Sequence, residues 1–263
     1  MKRFRINQLK NNDLIMLEAS GKMTFCVEIN GVEYSMTPIN ADTVKNIAVN
    51  ALYQNVARDC DAPYAPTFIT LYNDHYYSLT ADPNGFYCSC SLKLFKGKED
   101  SKEPDSRSTF EVYMDLFEER SFPKNARFMS LQARLAKSMV LDYLFGVSRN
   151  VINDFSYYYC GSDNDIAVIG GAVISRKEGC SRYEFNQLCS NIMSFDNALL
   201  VEICKFIGGI KISKVLRGVS SFHIRYRNLY KKSLEDIAQK AQQRLEKLND
   251  LCCVLTFCKE DLN

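Results

Sequence analysis

The chain has 263 residues, of which 46% are hydrophobic and 24% charged, and this composition predicts a folded protein and excludes extended disorder. Its 33 basic and 31 acidic residues give a net charge of +2, which excludes a general attraction for nucleic acid or for anionic membranes. No run reaches the roughly 18 apolar residues of a membrane span, and the basic first ten residues lack the apolar segment of a signal peptide, so we expect a cytoplasmic protein.

Residues 1–95 are predicted to form a strand-rich lobe. Asn30-Gly31 separates two β-branched runs and is typical of a two-residue hairpin turn. From Asp42, the predicted N-cap, apolar residues recur at helical spacing as far as Asp59. Asn73-Asp74 predicts a second tight turn. The predicted strands cover residues 14–17, 23–29, 32–37, 67–72 and 76–80.

Residues 96–109 are highly charged and nearly devoid of apolar side chains, which predicts an exposed connector. Residues 110–263 are predicted to form a helical lobe. Ser194 and Gly208-Gly209 are predicted to begin and end one helix, and Ser233 with Asp236 resembles a capping box that opens a terminal helix. The predicted helices cover residues 110–119, 130–145 and 195–207 and a terminal segment that includes 234–248.

The eleven cysteines are predicted to be reduced thiols, most of them buried. Their number is odd, no CxxC pair is present, and no cysteine and histidine cluster has the spacing of a zinc site. The two histidines, His75 and His223, are far apart in the sequence. We therefore expect neither a disulfide framework nor a zinc site.

The order of these parts resembles a kinase: an α+β, two-lobed kinase-like fold with a strand-rich N-terminal lobe and a helical C-terminal lobe. Three segments are similar to the HipA-like branch of the protein-kinase-like superfamily. Residues 20–25 resemble its glycine-containing phosphate loop, with 32–36 as the strand that carries the ATP-binding lysine. Residues 141–146 resemble the helix before the catalytic loop. Residues 166–172 resemble the strand and turn that present the metal-binding aspartate.

The departures from this family remove its catalytic groups. Phosphoryl transfer relies on a strand lysine, a helix glutamate that pairs with it, a catalytic aspartate and oxygen ligands for magnesium. Met36 is near the lysine position, and Asn50-Ala51 are near the glutamate position. Ser148 or Arg149 aligns with the catalytic aspartate, and Gly170 with the metal-binding aspartate. The resemblance therefore implies a degenerate member of the family with no catalytic residue.

The resemblance implies a pseudokinase that acts by binding a protein partner or a nucleotide. Its candidate nucleotide-binding residues are Ser20, Gly21, Lys22 and Asn153. An alternative is a divergent HipA-like Ser/Thr kinase that uses ATP and magnesium, with Lys22 on the phosphates and Asn153 with Asp154 or Asp165 on the metal. A third alternative is a protein-interaction module of unrelated α+β fold.

Overall fold

The computed structural model describes twelve parts of the chain, and all structural statements below concern them. They are residues 14–19, 22–29, 32–62, 64, 67–72, 75–81, 88–91, 126–147, 155–160, 165–170, 185–218 and 226–260.

The first five strands form one antiparallel sheet in the order β1-β2-β3-β5-β4. Ile29 pairs with Val32, which leaves Asn30-Gly31 as a two-residue connection and confirms the predicted hairpin. Tyr72 pairs with His75 in the same way, so the turn predicted at residues 73 and 74 is also confirmed. The strands are β1 (Leu14–Ala19), β2 (Lys22–Ile29), β3 (Val32–Pro38), β4 (Thr67–Tyr72) and β5 (His75–Ala81).

The two faces of this sheet pack against different surroundings. Val27, Met36 and Leu79 form a separate apolar cluster on one face, and each is at most 3% exposed. Ile69 lies on the other face and is 5% exposed in the main core of the protein. Because side chains alternate along a strand, neighbouring residues of β3 belong to different faces.

Helix α1 (Val44–Asp59) follows β3 and packs against the face of Ile69. Its end at Asp59 was predicted correctly, but the predicted N-cap was wrong. The cap position is Thr43, and its side chain makes no capping bond. The Asn40 side chain instead accepts hydrogen bonds from the backbone amides of Asp42 (2.9 Å) and Thr43 (3.0 Å). A turn before the helix therefore satisfies amides near its start.

A second sheet is antiparallel in the order β6-β7-β8. It consists of β6 (Cys88–Ser91), β7 (Phe155–Cys160) and β8 (Asp165–Gly170). β8 packs against helix α2 (Ala126–Phe145). The part of the chain that the sequence predicts to be helical thus also contains two strands. Adjacent tyrosines and β-branched residues favour strands there.

The remaining helices are α2 (Ala126–Phe145), α3 (Phe185–Ser194), α4 (Asn197–Gly209), α5 (Ile212–Gly218) and α6 (Arg227–Glu260). Ser194 ends α3 and does not open α4, because the N-cap of α4 is Asp196, whose carboxylate accepts from the amide of Leu199 at 2.8 Å. Ser233 lies inside α6 and does not cap it. The helix predicted over residues 110–119 lies outside the described residues.

All six of these helices contribute to one apolar core. Leu52 of α1, Leu135 of α2, Ile203 of α4 and Leu248 of α6 are fully buried there. α6 spans 34 residues, or about 51 Å at 1.5 Å per residue, and contacts α1, α2, α4 and α5.

None of the described helices is both long enough and apolar enough to cross a membrane.

Candidate functional site

The carboxyl end of α2 is closed by a Schellman motif. Gly146 has a φ of +64°, which glycine adopts without the steric cost that a side chain would impose. Its amide donates to the carbonyl of Tyr143 at 3.3 Å, and the amide of Val147 donates to the carbonyl of Asp142 at 2.9 Å. The chain therefore leaves α2 in a fixed direction at residue 147. The segment predicted as the degenerate catalytic loop, residues 147–153, begins there.

Arg244 of α6 reinforces this helix end. Its Nη1 donates to the carbonyls of Tyr143 (3.1 Å) and Leu144 (2.9 Å), and its guanidinium carbon lies 5.8 Å from the centroid of the Tyr143 ring. A cation at this position also opposes the partial negative charge of the helix terminus. Burial raises the pKa of the Tyr143 hydroxyl, and the Arg244 charge offsets part of that rise. The sequence analysis missed this residue.

The β7–β8 pair brings two predicted positions to one end of a hairpin. Phe155, the first residue of β7, pairs with Gly170, the position predicted to have lost the metal-binding aspartate. Asn153 and Asp154 directly precede Phe155 in the sequence. Asp165 pairs with Cys160 at the opposite end. Five residues of β8 at about 3.4 Å each separate the two ends by about 17 Å.

This separation bears on the predicted metal ligands. Asn153 and Asp154 lie outside the described residues, but they precede Phe155 directly along the chain. Asp165 is at the far end of the hairpin, so the register argues against one ion shared by all three. Within the described ranges, no group of three or more histidine, cysteine, aspartate or glutamate side chains could hold a metal ion. Which of Asn153, Asp154 and Asp165 would hold a metal ion stays a prediction.

The candidate phosphate-binding residues lie at the β1–β2 connection. Ala19 pairs with Lys22, which leaves two residues between the strands. Lys22 is the first residue of β2, whereas Ser20 and Gly21 lie outside the described residues. The position of Lys22 beside a tight connection is consistent with the predicted loop.

The lysine position of β3 is filled by neutral side chains. Met36 is 3% exposed in the apolar cluster, on the sheet face opposite α1. Ser78 of β5 pairs with both Thr37 and Ile69, so Thr37 and, two residues earlier, Ser35 share the face that packs against α1. β3 contains no lysine or arginine on either face.

The glutamate position of α1 is equally neutral. Asn50 is half-buried and Ala51 is buried, and neither carries a charge. The only carboxylate in α1 is Asp59, its last residue, which lies 3.8 Å from Lys214 Nζ. The kinase arrangement, a β3 lysine paired with an α1 glutamate, is therefore impossible between these two elements.

No protein-family model and no curated protein matches the chain. Among solved structures, it is similar to the Helicobacter pylori proinflammatory kinase CtkA, with a TM-score of 0.60 and 8% identity over 96% of this chain and 98% of that chain. It is also similar to HipA in the Shewanella oneidensis MR-1 complex of HipA, HipB and operator DNA, with a TM-score of 0.51 and 10% identity.

The second match covers 90% of this chain and 65% of the HipA chain, so this chain spans about two thirds of HipA. At such low identities the likeness shows the fold alone. The mixed α/β chain has a kinase-like fold, as the sequence resemblance predicted, and the alternative of an unrelated fold is not supported.

Proposed function

From this kinase-like fold, we propose that the chain is a pseudokinase, which binds a protein partner or a nucleotide and does not transfer phosphate. The proposal rests on the chemistry of phosphoryl transfer, in which positioning and charge stabilisation supply nearly all of the rate enhancement. A kinase-like chain without the charged groups that do this work loses the reaction, and binding is the function that remains.

The observation that carries the proposal is that β3 has no cationic side chain to pair with an α1 carboxylate. The α1-facing positions of β3 are Ser35 and Thr37, and α1 has no carboxylate before Asp59. ATP phosphates bound beside β3 would meet hydroxyl groups and no ammonium. Loss of one positioned stabilising donor costs an enzyme roughly 10²–10³ in rate, and here several such groups are absent together.

ATP and magnesium act together as cofactors only in the alternative, a divergent Ser/Thr kinase. Lys22 would then hold the phosphates with Ser20 and Gly21, and Asn153 with Asp154 or Asp165 would supply oxygen ligands for magnesium. Magnesium bridges and neutralises phosphate oxygens when it is bound in kinases. The alternative therefore depends on residues from two distant parts of the sequence.

Labelled ATP tests the proposal directly. We expect no incorporation of label into the chain itself or into serine- and threonine-containing peptides, with Lys22→Ala and Asn153→Ala as matched variants. Incorporation that both substitutions abolish would establish the divergent kinase and refute the pseudokinase. Incorporation that both variants retain would indicate a contaminating kinase, and the assay would be repeated on repurified protein.

Thermal unfolding with ATP, with and without magnesium, distinguishes binding of a nucleotide from binding of a protein partner. A ligand at 100 times its Kd stabilises the native state by about 2.7 kcal/mol, which raises the Tm by about 5–10 °C for a chain of this size. A rise that does not need magnesium would support nucleotide binding by the pseudokinase. If millimolar ATP leaves the Tm unchanged, binding of a protein partner is the remaining form of the proposal.

A further inference from the structure

A pocket of about 320 Å³ lies where the end of α1 meets α2 and α4. Lys137 lies nine residues before Gly146, so the pocket is about 13 Å along α2 from the helix end described above. A cavity of this size accommodates a small molecule. The lining residues used below are Asp59, Cys60, Lys137, Lys205, Phe206 and Gly209.

Lys137 is the most unusual residue of this pocket, because its side chain is only 14% exposed. Its Nζ lies 3.0 Å from Glu202 Oε1 and 5.8 Å from the centroid of the Phe206 ring. A buried ammonium is costly unless acceptors surround it, and it has three N–H donors. Glu202, itself 48% exposed, satisfies part of this capacity. Lys137 also lines the pocket, so a ligand bound there is within reach of its ammonium group.

The charges around the pocket are positive on balance. Lys205 lines it, and Lys211 and Lys214 lie close enough to Cys60 to lower its pKa, although burial and Asp59 raise that pKa overall. With Lys137, four ammonium groups stand against the carboxylates of Asp59 and Glu202. The carboxyl ends of α1 and α4 each add roughly half a negative charge. An excess of about one positive charge remains.

We propose that this pocket binds a small ligand through an oxyanion group, either a carboxylate or a phosphate. The oxyanion accepts hydrogen bonds from Lys137 and Lys205, and the less polar part of the ligand packs on the wall formed by Phe206. The proposal uses none of the phosphate-binding positions of the proposed pseudokinase and does not depend on them.

Two adjacent glycines at the end of α4 allow a matched test. A Cβ built on Gly208 or on Gly209 meets no atom within 4 Å, and neither residue has a positive φ, so both positions accept a side chain. Only Gly209 lines the pocket. Gly209→Leu should therefore fill the pocket, whereas Gly208→Leu makes the same chemical change and leaves the pocket open.

Binding is measured by thermal unfolding of the full chain. The Tm in inorganic phosphate or in acetate is compared with the Tm in chloride at equal ionic strength. We expect a saturable rise in Tm of about 3–6 °C at ten times Kd for the wild type and for Gly208→Leu. Gly209→Leu and Lys137→Met should lose the rise. Glu202→Gln should reach it at lower concentration, because it removes the competing carboxylate beside Lys137.

The two probes identify the oxyanion: a response to one of them supports a site selective for that group, and a response to both supports a shared site. The proposal is overturned if neither probe differs from chloride, or if Gly209→Leu responds as the wild type does. Gly209→Leu should leave any effect of ATP unchanged, so failure here is distinguishable from failure of the proposed function.

Discussion

Replacing Arg244 with methionine tests how the carboxyl end of α2 is held. Both hydrogen bonds to α2 come from one nitrogen, Nη1, to carbonyls at 2.9 and 3.1 Å. We therefore count them as one charge-assisted interaction of about 1.5–3 kcal/mol and add about 0.3–1 kcal/mol for the charge at the helix terminus. Arg244 is only half-buried, so we reduce the total to about 2 kcal/mol.

Methionine retains the apolar stem of arginine and so isolates the loss of the guanidinium. Urea unfolding should show a lower midpoint at an unchanged m-value, and the Tm should fall by about 4–8 °C. Arg244→Lys should lie between methionine and wild type, because it keeps the charge but not the planar donor group. Gln243→Met, at an exposed neighbouring position of α6, is the control and should change stability by less than about 0.5 kcal/mol.

Hydrogen exchange locates the effect. The amides of Gly146 and Val147 should exchange faster in Arg244→Met, since both donate within the motif that Arg244 supports. Equal stability of Arg244→Met and the Gln243→Met control would refute the reasoning. So would a loss of stability that leaves exchange at these two amides unchanged relative to the rest of α2.

Three further predictions concern single positions. Met36→Lys should lower the free energy of unfolding by about 3–5 kcal/mol by burying an unpaired charge, whereas Thr37→Lys, at an exposed position of the same strand, should cost less than about 1 kcal/mol in urea unfolding. Gly146→Ala should cost about 1–2 kcal/mol by thermal unfolding, because of its positive φ and because a Cβ would lie 3.0 Å from Arg244 Nη1. Burial raises the pKa of Tyr230, so the folded state resists its ionisation and the free energy of unfolding should fall above about pH 10, by up to about 1.4 kcal/mol per pH unit from this group. Urea unfolding between pH 9 and 11 should show a shallower fall for Tyr230→Phe, and identical slopes would contradict the assignment.

Structural features that are specified by a few adjacent residues, such as tight turns, were predictable from the sequence. Asn30-Gly31 specifies its turn through its own backbone preferences, and the register around it agrees. Helix starts were less predictable, since several residues near each start can act as a cap. Ser233 resembles a cap but lies inside α6, because burial of Tyr230, which is 2% exposed, favours a helix that begins earlier.

The candidate site depends on information that the sequence carries only weakly. The sequence predicted Met36 near the lysine position, but a shift of one residue moves a strand position to the other face of the sheet, and the face toward α1 belongs to Ser35 and Thr37. Arg244 and its acceptor Tyr143 are 101 residues apart, so no local pattern could connect them. Such long-range contacts become visible only in the folded chain.

The packing of α1 against α6 sets a limit on when the chain can finish folding. Roughly 170 residues separate the end of α1 from the start of α6, and synthesis at about 5–20 residues per second takes about 10–30 s to cover that distance. During this interval the apolar side of α1, including the fully buried Leu52, has no permanent partner in α6. That side of α1 therefore cannot reach its final packing until α6 has been synthesised.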